Sequence, residues 1–153
     1  MASEQNLLDP INRRILEELQ HDGRIAFAEL GRRVDLSAPA VAERVGRLER
    51  AGVITGYRAV VDPSAVGYQL AAVVRIRPFA RQLPKIPEVA AATPEVVECE
   101  RITGEDCFLV RLHVRAMEDL EGVLDRFTPF GQTTTSLVHS APVPRRALPL
   151  DGF

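Results

Sequence analysis

The stretch LSAPAVAERVGRLERAGVITGY, residues 36–57, sets an apolar stripe, three arginines and a glycine-punctuated exit side by side. Val41, Val45 and Leu48 recur at i, i+4 and i+7, the spacing of one buried helix face. Ser37 is an N-cap residue by type, and Leu36 just before it with Val41 four positions into the helix makes a hydrophobic staple. The stripe turns Pro39, Ala40, Glu43, Arg44 and Arg47 outward. Ala51-Gly52 ends the helix, and Val53 to Val61 is β-branched and strand-like, as a wing would be.

Two further helices precede it. Asp9 followed by Pro10 reads as an N-cap and first-turn proline, with Ile11, Ile15, Leu16 and Leu19 at helical spacing up to a stop near His21-Asp22-Gly23. A shorter helix follows with Phe27, Leu30 and Val34 as its inner face, and Asp35-Leu36 makes a tight turn into the third. Three short helices, the last two tightly joined, are the build of a helix-turn-helix. The start of its third helix must enter a major groove about 12 Å wide, which explains why Ser37, Ala38, Pro39 and Ala40 are all small. Arginine forks at Arg44 and Arg47 suit phosphates or the O6/N7 edge of guanine. These six residues are the candidate DNA contacts. The plain alternative is a solvated helix face, and Glu43 and Glu49 read as ordinary salt-bridged surface of that kind. The turn, the staple and the small-residue opening would then all be coincidences.

Charge limits what this surface can do alone. Net charge is −2 over 153 residues, and within residues 32–58 Arg32, Arg33, Arg44, Arg47, Arg50 and Arg58 face only Asp35, Glu43 and Glu49. That local excess is too small for one such head to hold a polyanion tightly. The apolar share of 46% supports a real core. The sequence has no run of 18 apolar residues, and MASEQNLLDP lacks a basic region followed by an apolar stretch. Neither a membrane span nor a signal peptide is expected, and the protein reads as cytoplasmic. Cys99 and Cys107 are too few for a disulfide framework and are not spaced as metal ligands; His21, His113 and His139 are scattered. No metal or cofactor is expected.

After Asp62-Pro63 the pattern changes. The domain reading is 1–61 helix-turn-helix, 62–68 linker, 69–140 a second domain, and 141–153 a Pro-rich tail. Leu70, Ala72, Val74 and Ile76 alternate along a strand with one buried face; residues 80–93 form a helix made irregular at its start by Pro84 and Pro87. Val96–Ile102 and Cys107–Val114 are strands about a Thr103-Gly104-Glu105-Asp106 turn, and Met117, Leu120, Val123, Leu124 and Phe127 mark an amphipathic helix. Thr133–His139 is the last strand. The order β-α-β-β-α-β is the ferredoxin-like unit, so the fold class is α+β, with a winged-helix-like head. If Gly104 and Glu105 are the central pair of the turn, Ile102 faces Cys107, Glu98 faces Arg111, and Cys99 and Cys107 lie on opposite faces.

The whole chain resembles the Lrp/AsnC, or feast/famine, family of transcription regulators. The matching stretches are LDPINRRILEELQHDGR (8–24), LGRRVDLSAPAVAERVGRLERAGVITGYRAVVDP (30–63), ITGEDCFLVRLHV (102–114) and TTTSLVH (133–139). The resemblance implies a double-stranded-DNA-binding head and a ferredoxin-like domain that dimerises through its sheet and assembles further, as an octamer for example. It also implies a small effector, commonly an amino acid. Its pocket would be lined by Thr103, Gly104, Glu105, Asp106 and Cys107 and by Thr133 and Thr135. The loop departs from the family's usual Gly, acidic, aromatic, Asp order, so the carboxylate for an effector's α-amino group would be Asp106, in a shifted position.

Two other function classes compete. An enzyme with Cys107 as nucleophile needs a nearby base, and His113 lies six residues along the same strand, about 20 Å away at roughly 3.3 Å per residue. No phosphate loop or triad appears, and the protein is read as not an enzyme. An amino-acid sensor acting on another protein without binding DNA would leave residues 36–57 unexplained.

Overall fold

A computed structural model describes residues 7–150. It divides the chain into two compact units, one of the described residues up to Val60 together with those from Val143 on, the other Val61–Pro142.

The first unit holds α1 (Pro10–His21), α2 (Phe27–Val34) and α3 (Ala38–Arg50). Asp9 caps α1 by accepting from the Asn12 amide at 2.7 Å, and Ser37 caps α3 by accepting from Ala40. The core is Ile15, Leu16, Leu30, Val34, Val41, Val45 and Leu48, with Leu36 packed against it. The α3 stripe and its staple are thus as the spacing requires. Between α2 and α3 the chain turns on Asp35, whose φ of 60° is left-handed. Gly31 makes that turn possible, because a β-carbon there would stand 2.4 Å from the Leu36 carbonyl oxygen. Its own carbonyl accepts from the Leu36 amide at 2.9 Å.

Two expectations fail here. Phe27 is 41% exposed rather than part of the inner face of α2, since it opens the helix one turn before the packed residues Leu30 and Val34. Val53–Val61 forms no strand, and Val60 is fully exposed. β-branched residues favour an extended chain, but a strand needs a partner for its amides, and none of the described residues supplies one.

Instead, the far end of the chain packs against the helices. The Gln20 side chain donates to the Leu148 carbonyl at 3.1 Å and accepts from the Leu148 amide at 2.8 Å. Leu150 joins the core of the helices, and Leu148 and Leu150 line a groove of about 420 Å³ with Leu16, Leu19, Ile54 and Tyr57. The segment read as a tail is therefore partly structural. Residues 64–67, within the stretch read as linker, include a short 3-10 turn at Ser64–Val66, before which the Asp62 carboxylate accepts from the Ser64 amide and hydroxyl.

The second unit runs β1 (Leu70–Pro78), α4 (Lys85–Ala91), β2 (Val96–Arg101), β3 (Phe108–Val114), α5 (Met117–Phe127) and β4 (Gly131–Leu137). The antiparallel sheet has the order β2-β3-β1-β4, the ferredoxin-like arrangement. Ala72, Val74 and Ile76 pack with Phe108, Val110 and Leu112 beneath Ile86, Ala90, Leu120, Val123 and Phe127, so both helices cover one face. The other face carries Val73, Arg75, Arg77, Leu109, Arg111 and His113. In the hairpin Glu98 pairs with Arg111 and Cys99 with Val110, and the Ile102 amide donates to the Cys107 carbonyl. The Glu98–Arg111 ion pair closes at 3.5 Å. Met117, at the start of α5, is 45% exposed and outside the core.

Candidate nucleic-acid interface and effector loop

The outer face of α3 is fixed by its inner one. Ser37, Pro39, Glu43, Arg47 and Arg50 are exposed, and Ala38 and Ala40 are half-buried. The arginines of the three helices are sorted by partner. Arg14 pairs with Asp35, Arg32 with Glu29, and Arg33 with Glu18 and Glu29. Arg13 donates to the Leu8 carbonyl. Arg47 and Arg50 have no hydrogen-bonding or charged partner among the described residues. Arg50 lies back over Gly46, its Nη1 3.2 Å from where a β-carbon would stand.

Arg44 does not point outward. Its Nη1 donates to Asp9 at 2.6 Å and to the Asn12 side-chain oxygen at 3.0 Å, with Asn12 fully buried and donating in turn to the Leu7 carbonyl. The guanidinium joins the N-terminus of α1 to the middle of α3. Burial alone would raise the Asp9 carboxyl, but the Arg44 and Asn12 hydrogen bonds and the arginine's charge outweigh it and hold it below its ordinary value. Sequence reasoning missed this because the helical repeat places Arg44 at the border of the stripe, and its partners lie more than 30 residues upstream. Asp9 and Asn12, three residues apart at a helix start, were the available signal. At the exit of α3, Tyr57 donates to Glu49 at 2.9 Å; burial and that carboxylate push the phenol up to about 12.

The Thr103–Cys107 loop is held from the sheet's open face. Arg77 pairs with Glu105, and Asp106 sits between Arg77 Nε and Arg75 Nη1, each 3.6 Å away. Asp106 is half-buried, while Thr103, Gly104 and Glu105 are exposed. Gly104 has φ 106°, a conformation that other residues adopt only under strain. The Cys107 thiol donates to the Glu105 carbonyl. Thr133 and Thr135 pair with Ile76 and Val74, which places them on the helix-covered face. The sheet separates them from the acidic pair, so the loop and these two threonines form no single cluster. Thr134 and Gln132, opposite Arg75 and Arg77, share the open face with the loop's carboxylates. The resemblance points to Thr133 and Thr135, but the register of β4 against β1 sets these two on the face away from the loop's carboxylates. Both cysteines are free, and burial and Glu100 push the Cys99 thiol up, away from thiolate reactivity.

Comparison with known proteins agrees with this geometry. Residues 8–49 match the AsnC-type helix-turn-helix domain and residues 71–148 the Lrp/AsnC ligand binding domain. The chain belongs to the Lrp/AsnC family of transcriptional regulators. The regulator LrpC of Bacillus subtilis is 32% identical over 87% of this chain and 92% of its own length. LrpA of Mycobacterium tuberculosis is 40% identical over 78% of this chain and 80% of its own. A transcriptional regulator of Neisseria meningitidis, crystallised with L-Met, superposes with a TM-score of 0.86 at 29% identity, covering 94% of this chain and 97% of that one. As an Lrp/AsnC protein the chain is a DNA-binding regulator with a ligand-binding domain, not an enzyme. No helix among the described residues is long and apolar enough to cross a membrane.

Proposed function

We propose that α3 enters the major groove of double-stranded DNA, with the Ser37-Ala38-Pro39-Ala40 opening nearest the bases and Arg47 and Arg50 on base edges or phosphates. The observation behind this reading is the sorting of charge: the other arginines of the three head helices are tied to protein oxygens, and the two on the outer face of α3 have no such partner among the described residues. Arg44 holds the head together instead of touching DNA. A small excess of positive charge means that at least two heads act on one operator, joined through the second unit.

The effector in this reading is an amino acid, bound at the loop from Thr103 to Cys107. The free backbone amides about Gly104 take its carboxylate and Asp106 its ammonium, with Thr134 and Gln132 beside them in place of Thr133 and Thr135. Asp106 is already paired with Arg75 and Arg77, so ligand binding exchanges ion pairs rather than filling an empty charge. The L-Met bound to the Neisseria relative supports the class of ligand.

Selection of bound duplexes from a random library by the full chain tests the DNA reading; enrichment of no sequence contradicts it. Calorimetry with each of the twenty amino acids, on wild type and Asp106→Ala, tests the effector site. Binding by none, or equal binding by both proteins, removes the loop from the account.

A further inference from the structure

The face of α3 proposed to meet DNA holds a carboxylate with no partner. Glu43 is exposed, lies nearly opposite the Val41, Val45, Leu48 stripe, and makes no ion pair or hydrogen bond among the described residues. Pro39 is one turn before it and Arg47 one turn after, on the same line. Asp9, Glu18, Glu29 and Asp35 each hold an arginine and Glu49 holds Tyr57; Glu17, on α1 and away from the outer face of α3, shares with Glu43 the lack of a side-chain partner among the described residues.

A carboxylate within about 8–10 Å of phosphates lowers affinity for every DNA sequence at physiological salt. It recovers this only where it meets a hydrogen-bond donor. The major groove offers two, the N4 amino group of cytosine and the N6 amino group of adenine. Adenine sets its N7 acceptor beside N6, which repels an anion and suits an amide; cytosine presents the donor without that acceptor. Arg47, one turn on, has the complementary fork for guanine O6 and N7. Four residues advance about 6 Å along a helix, close to two base-pair steps of about 3.4 Å.

We propose that Glu43 is a specificity-determining residue: it reads the N4 amino group of one cytosine in each half-site, about two base pairs from a guanine read by Arg47, and weakens binding to other DNA. This rests on α3 being the recognition helix. The test is selection from a random duplex library by the full-length wild type, Glu43→Gln and Glu43→Ala, followed by affinities for the enriched duplex with each base at the implicated position. Wild type is expected to lose roughly tenfold or more when that cytosine is replaced, and Glu43→Ala to lose less than about twofold. Glu43→Gln should shift its preference there to adenine, and both variants should bind random DNA more tightly. Thermal melts of the three proteins should coincide, since Glu43 is exposed and makes no hydrogen bond or ion pair among the described residues. If both variants keep the base preferences of wild type at every position, the role of Glu43 is overturned while the recognition helix stands. A wild type that enriches no sequence overturns both.

Discussion

Arg44 and Arg47 lie three residues apart on one helix in opposite surroundings, the first bonded inside the head and the second exposed. Arg44 is four-fifths covered and bonded to Asp9 and Asn12, so Arg44→Ala leaves a buried amide oxygen and a carboxylate without their partner. A loss of about 1–3 kcal/mol is expected, seen as a lower midpoint in thermal or urea unfolding. The same triad gives the head a pH dependence. The Asp9 carboxyl is held below its ordinary 3.8, so its contribution is present above that value and is lost as pH falls through the depressed one. Asparagine at position 9 keeps the cap but not the charge. Wild type should therefore exceed Asp9→Asn in stability at pH 7, and the gap should shrink below about pH 4. A gap unchanged between pH 7 and pH 3 contradicts the ion pair. The bonding of Arg44 was not visible in residues 36–57, because a periodicity argument assigns a face and cannot see a partner on another helix.

Among the elements, what could be read from sequence was whatever local chemistry decides. The Ser37 cap, the left-handed Asp35 turn, the stripe of α3 and the hairpin register are set by residues a few positions apart, and all were legible. Once Gly104 and Glu105 were centred in the turn, the Glu98–Arg111 pairing followed by parity. The missing wing, the phase of β4 and the return of the tail depend on contacts far along the chain. Residues 53–61 have strand propensity and no strand to join. β4 begins two residues before its first threonine, and its alternation is too weakly apolar to fix which face is inward. Nothing about Leu148 or Leu150 announces Gln20. Ending the chain at Pro142 should uncover the groove beside α1 and cost roughly 1–2 kcal/mol, read as a lower melting point and faster amide exchange in α1. Exchange identical to wild type would show that the segment is not part of the head.

For the whole molecule, the proposed function asks weak heads to act together. With Arg47 and Arg50 the arginines on the outer face of α3 that lack a partner among the described residues, a single head is expected to hold DNA weakly at physiological salt. Two or more should bind half-sites about one helical turn apart, roughly 34–36 Å, or multiples of it. Light scattering at micromolar concentration should find an oligomer, and a monomer would contradict the arrangement. The claim on which the rest depends is that α3 touches DNA, and Arg47 tests it most directly, since it is exposed and has no hydrogen-bonding or charged partner among the described residues. The measurement is the affinity of full-length wild type and Arg47→Ala for the same selected duplex, with melting curves alongside. The account predicts unchanged melting and binding weaker by about 1–3 kcal/mol, roughly 5- to 150-fold. Equal affinity for the two proteins, with both folded, would contradict it.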